Sequence, residues 1–185
     1  MNHLCIGVDF DNVINNFTDV MRPYIRKKIG YDSQQDDYDL LPKHFTQKQR
    51  ADFYNDSIEY INKHTEPQEN VIETISYLME DHKIYIVTAR GYDFATHTVD
   101  WLKKYKIPYT DILFQCGNKV DVSKYLNLDI VIEDSPYNLL ALAHNNIKTI
   151  TFDYPYNRHV YATEYRFNHW VDIGACIMNN LSYSL

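Results

Sequence analysis

The 185-residue sequence has no apolar run of about 18 residues, the length a membrane-crossing helix requires. Its first residues do not join a basic segment to a long apolar one, so no secretory leader is read and a cytoplasmic protein is expected. Positive charge is in short supply: 18 Lys and Arg face 25 Asp and Glu, a formal net charge of −7. Phosphate backbones demand basic surface, so this balance argues against a nucleic-acid duplex as the main partner. It leaves room for a small anion held in one locally basic or metal-charged pocket. The three cysteines (Cys5, Cys116, Cys176) are odd in number and show no CxxC spacing. They read as buried free thiols in a reducing compartment rather than as a disulfide or zinc site. The eight histidines show no metal-type spacing such as HExxH. Internal repeats, low-complexity tracts and Pro/Gly-rich linkers are also missing, which leaves one domain, or one domain with a small insertion.

What is present has a regular texture. Hydrophobic residues make up 45% and charged residues 23%, a composition of globular chains. The 17 tyrosines lift the aromatic share to 15%; most are expected in packing, a few against a ligand. Short apolar strands, predicted over 4–9, 83–88, 112–115, 129–133 and 149–152, alternate with amphipathic helices over 13–29, 67–81, 94–105, 119–126 and 136–145, and a tail helix over 171–181. Gly30 suits a helix C-terminus, Thr46 and Gln49 form a capping-box pair, and Ser135-Pro136 reads as cap and first helical residue. A second short helix ends near His64. From Pro67 onward the order is βαβαβ, which predicts an α/β fold with a parallel sheet covered on both faces. Residues 17–66 are polar, charged and strand-poor. They read as a small helical cap inserted after the first strand, with 1–16 and 67–185 forming the α/β core.

In open α/β sheets ligands gather outside the carboxyl ends of the strands. The first strand ends in Asp9 and Asp11, the second in Thr88-Ala89-Arg90, the third leads to Gly117-Asn118-Lys119, and the fourth ends in Glu133-Asp134. One edge thus collects four carboxylates, a hydroxyl and one or two cations. Such carboxylates repel unless a cation neutralises them, and an oxygen-rich cluster of this kind suits Mg²⁺. A metal beside a lysine fits an anionic substrate, and positioned charge is the main device of phosphoryl transfer. An aspartate can serve as the nucleophile.

These four stretches resemble, in order, the four motifs of the haloacid dehalogenase superfamily of phosphohydrolases. Asp9-Phe10-Asp11-Asn12-Val13 stands where that superfamily has DxDGT or DxDGV, followed by Thr88, Lys119 and the acidic pair Glu133-Asp134. The resemblance implies a Rossmann-like core with Asp9 as nucleophile and Asp11 as general acid and base. It implies Mg²⁺ held by Asp9, the backbone carbonyl of Asp11, and Asp134, with Glu133 acting through water. Thr88, the Ala89 amide and Lys119 would grip the phosphoryl oxygens. Asn12 replaces the usual glycine, and asparagine tolerates a left-handed backbone better than most residues. Glu133 replaces the commoner aspartate.

Within the superfamily, the chain is most similar to the 5′(3′)-deoxyribonucleotidases and their bacterial relatives. Phe17 lies eight residues after Asp9, where that family places an aromatic against the nucleobase. The segments 116–119 and 132–136, the loop 152–158 and the stretch 168–173 carry the rest of the likeness. The implied substrate is a nucleoside monophosphate; the oligomeric state is left open, a homodimer included.

Each residue also has an ordinary reading. Asp9 and Asp11 could be a cap and a turn acid, Thr88 a plain β-branched strand residue, and Glu133-Asp134 a polar strand exit. Lys124 competes with Lys119 but reads as a solvent-facing helix residue. Phe17 could be core, as could Phe45, Phe53 and Tyr54, and Arg90 could orient substrate or pair with an acid. A receiver domain also combines acids, Thr, Lys and Mg²⁺, but its acidic pair comes early, whereas here the DxD comes first. A phosphatase of another phosphometabolite and a weakly catalytic sensor remain alternatives.

Overall fold

The computed structural model describes residues 3–161, 163 and 165–181, so the outermost ends of the expected core, 1–2 and 182–185, lie outside the described residues. Six parallel strands form one sheet in the order β3-β2-β1-β4-β5-β6. They are β1 (Cys5–Val8), β2 (Lys83–Val87), β3 (Asp111–Leu113), β4 (Ile130–Glu133), β5 (Thr149–Phe152) and β6 (Tyr165–Phe167). The central strands β1 and β4 pair in register Ile6 with Ile130 and Val8 with Ile132. Their continuous apolar runs follow from burial on both faces.

One face of the sheet (Ile6, Val8, Ile84, Ile86, Ile130, Ile132) packs under α4 (Val71–Leu78), α5 (Ala95–Tyr105) and α8 (Trp170–Cys176). The other face, with Val87 and Val131, meets α6 (Lys119–Leu126) and α7 (Pro136–His144) through Val120 and Leu142. Gly7 lies on this second face, where a Cβ would stand 2.7 Å from Leu128 Cδ1, so no larger residue fits without displacing Leu128.

Between β1 and α4 the chain forms α1 (Phe17–Ile29), α2 (Gln47–Asp56) and α3 (Ile58–His64). These helices and the segment joining α1 to α2 share an apolar cluster of Met21, Ile25, Leu40, Leu41 and Ile61, with Phe17, Phe53 and Tyr54 against it. Thr46 and Gln49 make both bonds of the capping box at the start of α2. Gly30, at φ 70°, ends α1.

Several expectations are corrected. The helix expected from residue 13 begins at Phe17, because Asn12 takes a left-handed φ of 65° and Asn15 Oδ1 accepts from the amides of Asn12 and Phe17. Asparagine side chains here satisfy backbone groups that a helix would otherwise use. The helix expected from Pro67 starts at Val71, since the Gln68 amide donates to Ile14 O instead and Asn70 is left-handed. Ser135 precedes Pro136 as expected but makes no side-chain cap bond. The edge strand β6 was not expected: the alternation of Tyr165, Arg166 and Phe167 spans only three residues, too few to mark a strand.

Candidate active site

The carboxyl ends of β1, β2 and β4 and the N-terminus of α6 meet beneath α1–α3 around a cavity of about 500 Å³. Asp9, Asp11, Thr88, Ala89, Arg90, Glu133, Asp134 and Phe17 all line it. Lys119 stands behind them, fully buried. The nucleophile, acid–base, metal and phosphate candidates, with Phe17 and Arg90, are therefore brought to one place, whereas Phe45 and Phe53 pack in the α1–α3 cluster.

Asp9 continues the ladder beyond β1, its amide donating to Ile132 O at 3.0 Å. The Lys119 ammonium donates to Asp9 Oδ1, to Glu133 Oε2 at 3.0 Å and to Val87 O at 2.6 Å. Its three protons thus meet three acceptors. Asn118 caps α6 by accepting from the Val120 amide, which fixes the backbone from which Lys119 projects. Burial opposes the lysine charge, but Asp9 and Glu133 outweigh it and push its pKa above the ordinary lysine value. The Asp9 carboxyl is pushed up by its own burial; Lys119 pulls the other way, while Glu133 and Asp11 add repulsion.

Glu133 is held from all sides. Its Oε1 accepts from the amides of Asp134 and Ser135, both at 2.8 Å, and its Oε2 from Asn138 at 3.0 Å as well as from Lys119. Asp134 Oδ2 accepts from the Tyr156 hydroxyl and from Asn12 Nδ2 at 3.2 Å. Burial, with repulsion from Glu133 and Asp9, drives the Asp134 pKa far upward. Oxygens of Asp9, Glu133 and Asp134 all lie within 4.8 Å of one another, a buried hard-oxygen cluster that could hold a metal ion.

Thr88 extends β2 with its amide bonded to Leu113 O, and its Oγ1 accepts from the Arg90 amide at 3.1 Å. Arg90 does not stand free. Its guanidinium forks onto Asp11, donates to Thr98 Oγ1 at 3.0 Å and lies 4.5 Å over the Phe10 ring. Asp11 Oδ1 also accepts from Asn15 at 3.1 Å. On the opposite wall, Phe17 meets Tyr54 with ring centroids 6.0 Å apart. Tyr38, Leu40 and Asn55 also line the cavity, Tyr38 edge-on to Tyr156 with centroids 5.5 Å apart.

The sequence reading missed Tyr156, Asn138 and the side-chain bonds of Asn12. Tyr156 lies in the 152–158 loop that carries part of the family likeness, but no spacing rule assigns it a role, and only its place in the folded chain sets it against Asp134.

The fold is shared with solved hydrolases. A haloacid dehalogenase-like family hydrolase, SP0104 from Streptococcus pneumoniae, superposes with a TM-score of 0.67 over 94% of this chain and 97% of its own, at 14% identity. A phosphonoacetaldehyde hydrolase-like protein from Oleispira antarctica superposes with a TM-score of 0.66 over 96% and 95%, at 10% identity. The fold is therefore that of the haloacid dehalogenase-like hydrolases. Residues 2–181 match the family described as 5′ nucleotidase, deoxy (pyrimidine), cytosolic type C protein, and the chain belongs to that family. Its relatives include YqfW of Bacillus subtilis, 28% identical over 96% of this chain and 95% of the other. Nucleotidase CA_C3379 of Clostridium acetobutylicum is 29% identical over 85% and 84%. Membership of that family makes the chain a hydrolase of phosphoric monoesters. Among the described residues, no helix is long and apolar enough to cross a membrane.

Proposed function

We propose that the chain is a cytoplasmic, Mg²⁺-dependent nucleotidase that removes the phosphate from (deoxy)ribonucleoside monophosphates through an aspartyl-phosphate on Asp9. The observation that carries this reading is one cavity with the Asp9 carboxylate at its floor and the Phe17 and Tyr54 rings on its wall. Such a space takes a phosphate at one end and a flat base at the other.

In this reading Asp9 attacks phosphorus, the bond to the ester oxygen breaks, and Asp11 gives that oxygen a proton. Asp11 then takes a proton from water, which attacks the same phosphorus and frees Asp9 and inorganic phosphate. The Thr88 hydroxyl and the Ala89 amide hold the phosphoryl oxygens where negative charge develops, joined by Lys119 as it turns toward them the proton it gives Asp9. Residues 17–66 act as a cap that excludes bulk water.

The residues fit a divalent cation: oxygens of three buried carboxylates, Asp9, Glu133 and Asp134, lie within 4.8 Å of one another, and Lys119 pairs with Asp9 and Glu133. Asp9, Asp134 and the carbonyl of Asp11 would hold Mg²⁺, with Glu133 reaching it through water because its oxygens are already engaged. Bound there, the ion supplies charge neutralisation for the nucleophile and the phosphoryl group.

A phosphate-release panel tests the proposal, with nucleotides, sugar phosphates and an aryl phosphate, each with and without Mg²⁺. Release from nucleoside monophosphates only with Mg²⁺, abolished in a folded Asp9→Asn variant, is expected. Release from the aryl ester but from no nucleotide would defeat the nucleotide reading and spare the phosphatase. No Mg²⁺-dependent release from any ester would favour a phosphometabolite sensor.

A further inference from the structure

Asn12 occupies the third place after the nucleophile, where glycine is usual in the DxDGT pattern, and its side chain is engaged at both ends. Nδ2 donates to Asp134 Oδ2 at 3.2 Å, and Oδ1 accepts from the Thr18 amide at 2.7 Å in the first turn of α1. Glycine could make neither bond. The left-handed φ of 65° that glycine would supply is kept by asparagine.

On the other side, the Tyr156 hydroxyl donates to the same Asp134 oxygen. The Tyr156 ring lies flat against Tyr154, centroids 5.1 Å apart and planes within 5°, and edge-on to Tyr38 at 5.5 Å. The Tyr154 hydroxyl donates to Asn12 O at 2.8 Å, so the loop carrying Tyr156 is pinned to the turn carrying Asn12. Asn157 Nδ2 closes the clasp on the Asp134 backbone carbonyl at 2.9 Å. Two donors from separate parts of the chain therefore converge on one oxygen of a buried carboxylate.

We propose that Asn12 and Tyr156 are positioning residues for the divalent cation: they hold Oδ2 of Asp134, leave Oδ1 to the ion, and through Asn12 tie that carboxylate to the start of α1. The physical reason is orientation. A buried carboxylate fixed by donors behind it presents its other oxygen without paying rotamer entropy on binding, and groups that support a metal ligand in this way commonly contribute 10- to 100-fold in affinity. The Asn12 link adds a consequence that simple support lacks: fixing Asp134 also steadies the Thr18 amide. This inference rests on the metal reading above.

The test is Mg²⁺ titration by calorimetry on the wild type, Asn12→Gly and Tyr156→Phe, with no substrate present. Glycine keeps the backbone conformation while removing both Asn12 bonds, to Asp134 and from the Thr18 amide, and phenylalanine keeps the ring stack while removing only the hydroxyl donor. The dissociation constant is expected to rise about 10-fold in each. Hydrogen exchange at the Thr18 amide provides the second readout: Mg²⁺ slows it in the wild type and in Tyr156→Phe, and not in Asn12→Gly. Wild-type binding with constants within twofold in either variant overturns the joint assignment while leaving the metal reading intact. A wild type that binds no Mg²⁺ overturns both. Should Asn12→Gly fail to fold, the Tyr156→Phe constant decides alone.

Discussion

Arg90 grips Asp11 with two arms of its guanidinium, Nε donating to Oδ2 at 2.8 Å and Nη2 to Oδ1 at 2.6 Å. Thr98 and the Phe10 ring fix the guanidinium from behind. A bidentate pair of this kind sets direction as well as charge, so the carboxylate proposed to shuttle the proton is aimed by a residue 79 positions away. A lysine could supply the charge but not the fork.

Arg90→Lys is accordingly expected to lower kcat for a nucleoside monophosphate by about 10- to 100-fold, within the span general acid–base catalysis contributes. The loss should shrink for an aryl phosphate with a strongly acidic phenol, whose leaving oxygen needs little protonation. Steady-state kinetics on the two esters checks this. Equal losses on both would mean that Arg90 acts on the phosphoryl group and not through Asp11.

Lys119 is the cation buried among Asp9, Glu133 and the Val87 carbonyl. Lys119→Met preserves bulk but strands two buried carboxylates, and breaking a buried pair from one side costs about 3–5 kcal/mol. For a chain of this size that is a Tm lower by on the order of 10 °C. Combining it with Asp9→Asn should recover part of the loss, because the two residues touch and their effects do not add. Thermal unfolding of the two single variants and the double variant measures the coupling; strict additivity would refute it.

Just past the carboxyl end of β5, Asp153 accepts from Arg158 at 2.9 Å and Arg166 at 2.9 Å. Partial burial raises its pKa, but the bonds and charges of Arg158 and Arg166 outweigh that and the net shift is downward. A carboxylate depressed on folding contributes stability above its unfolded pKa of about 3.9 and loses it as pH falls through the folded value. Asp153→Asn should therefore cost on the order of 1 kcal/mol at pH 7, solvent screening included. The gap between variant and wild type should close at acid pH. Unfolding curves at pH 7 and at progressively lower pH follow the difference; a gap that persists in acid would mean the contribution is packing.

Much of this was readable in the chain before folding, for a reason peculiar to parallel sheets. Asp9, Thr88 and Glu133 each follow an apolar run, and parallel strands end on the same edge, so strand-end residues are neighbours by construction. Lys119 was legible as the first residue of a helix entering that edge. The Arg90–Asp11 fork was left undecided because no spacing rule links residues so far apart. Tyr156 and Asn138 stayed hidden for the same reason: both act through side-chain bonds within loop and helix turns whose path the strand pattern does not encode. The Asn12 backbone was foreseeable, its two side-chain bonds were not. The late start of α1 was lost because the 13–29 stretch carries helical periodicity while Asn15 takes the amides that would begin the helix.

Phe17 is the sharpest test of substrate, since its ring both lines the cavity and packs against the α1–α3 cluster. Truncation to alanine would confuse the two roles by opening a void. Phe17→Leu keeps apolar bulk and removes the flat face on which a base would stack. Stacking of a base on an aromatic ring contributes about 1–3 kcal/mol, so kcat/KM for nucleoside monophosphates should fall by roughly tenfold or more. A pentose 5-phosphate, which carries no base, should be hydrolysed by Phe17→Leu within about twofold of the wild-type kcat/KM. Parallel falls on both substrates would assign Phe17 to packing alone and move base recognition elsewhere on the wall, to Tyr38 or Tyr54. A selective fall would place the base against α1, at the helix that Asn12 joins to Asp134.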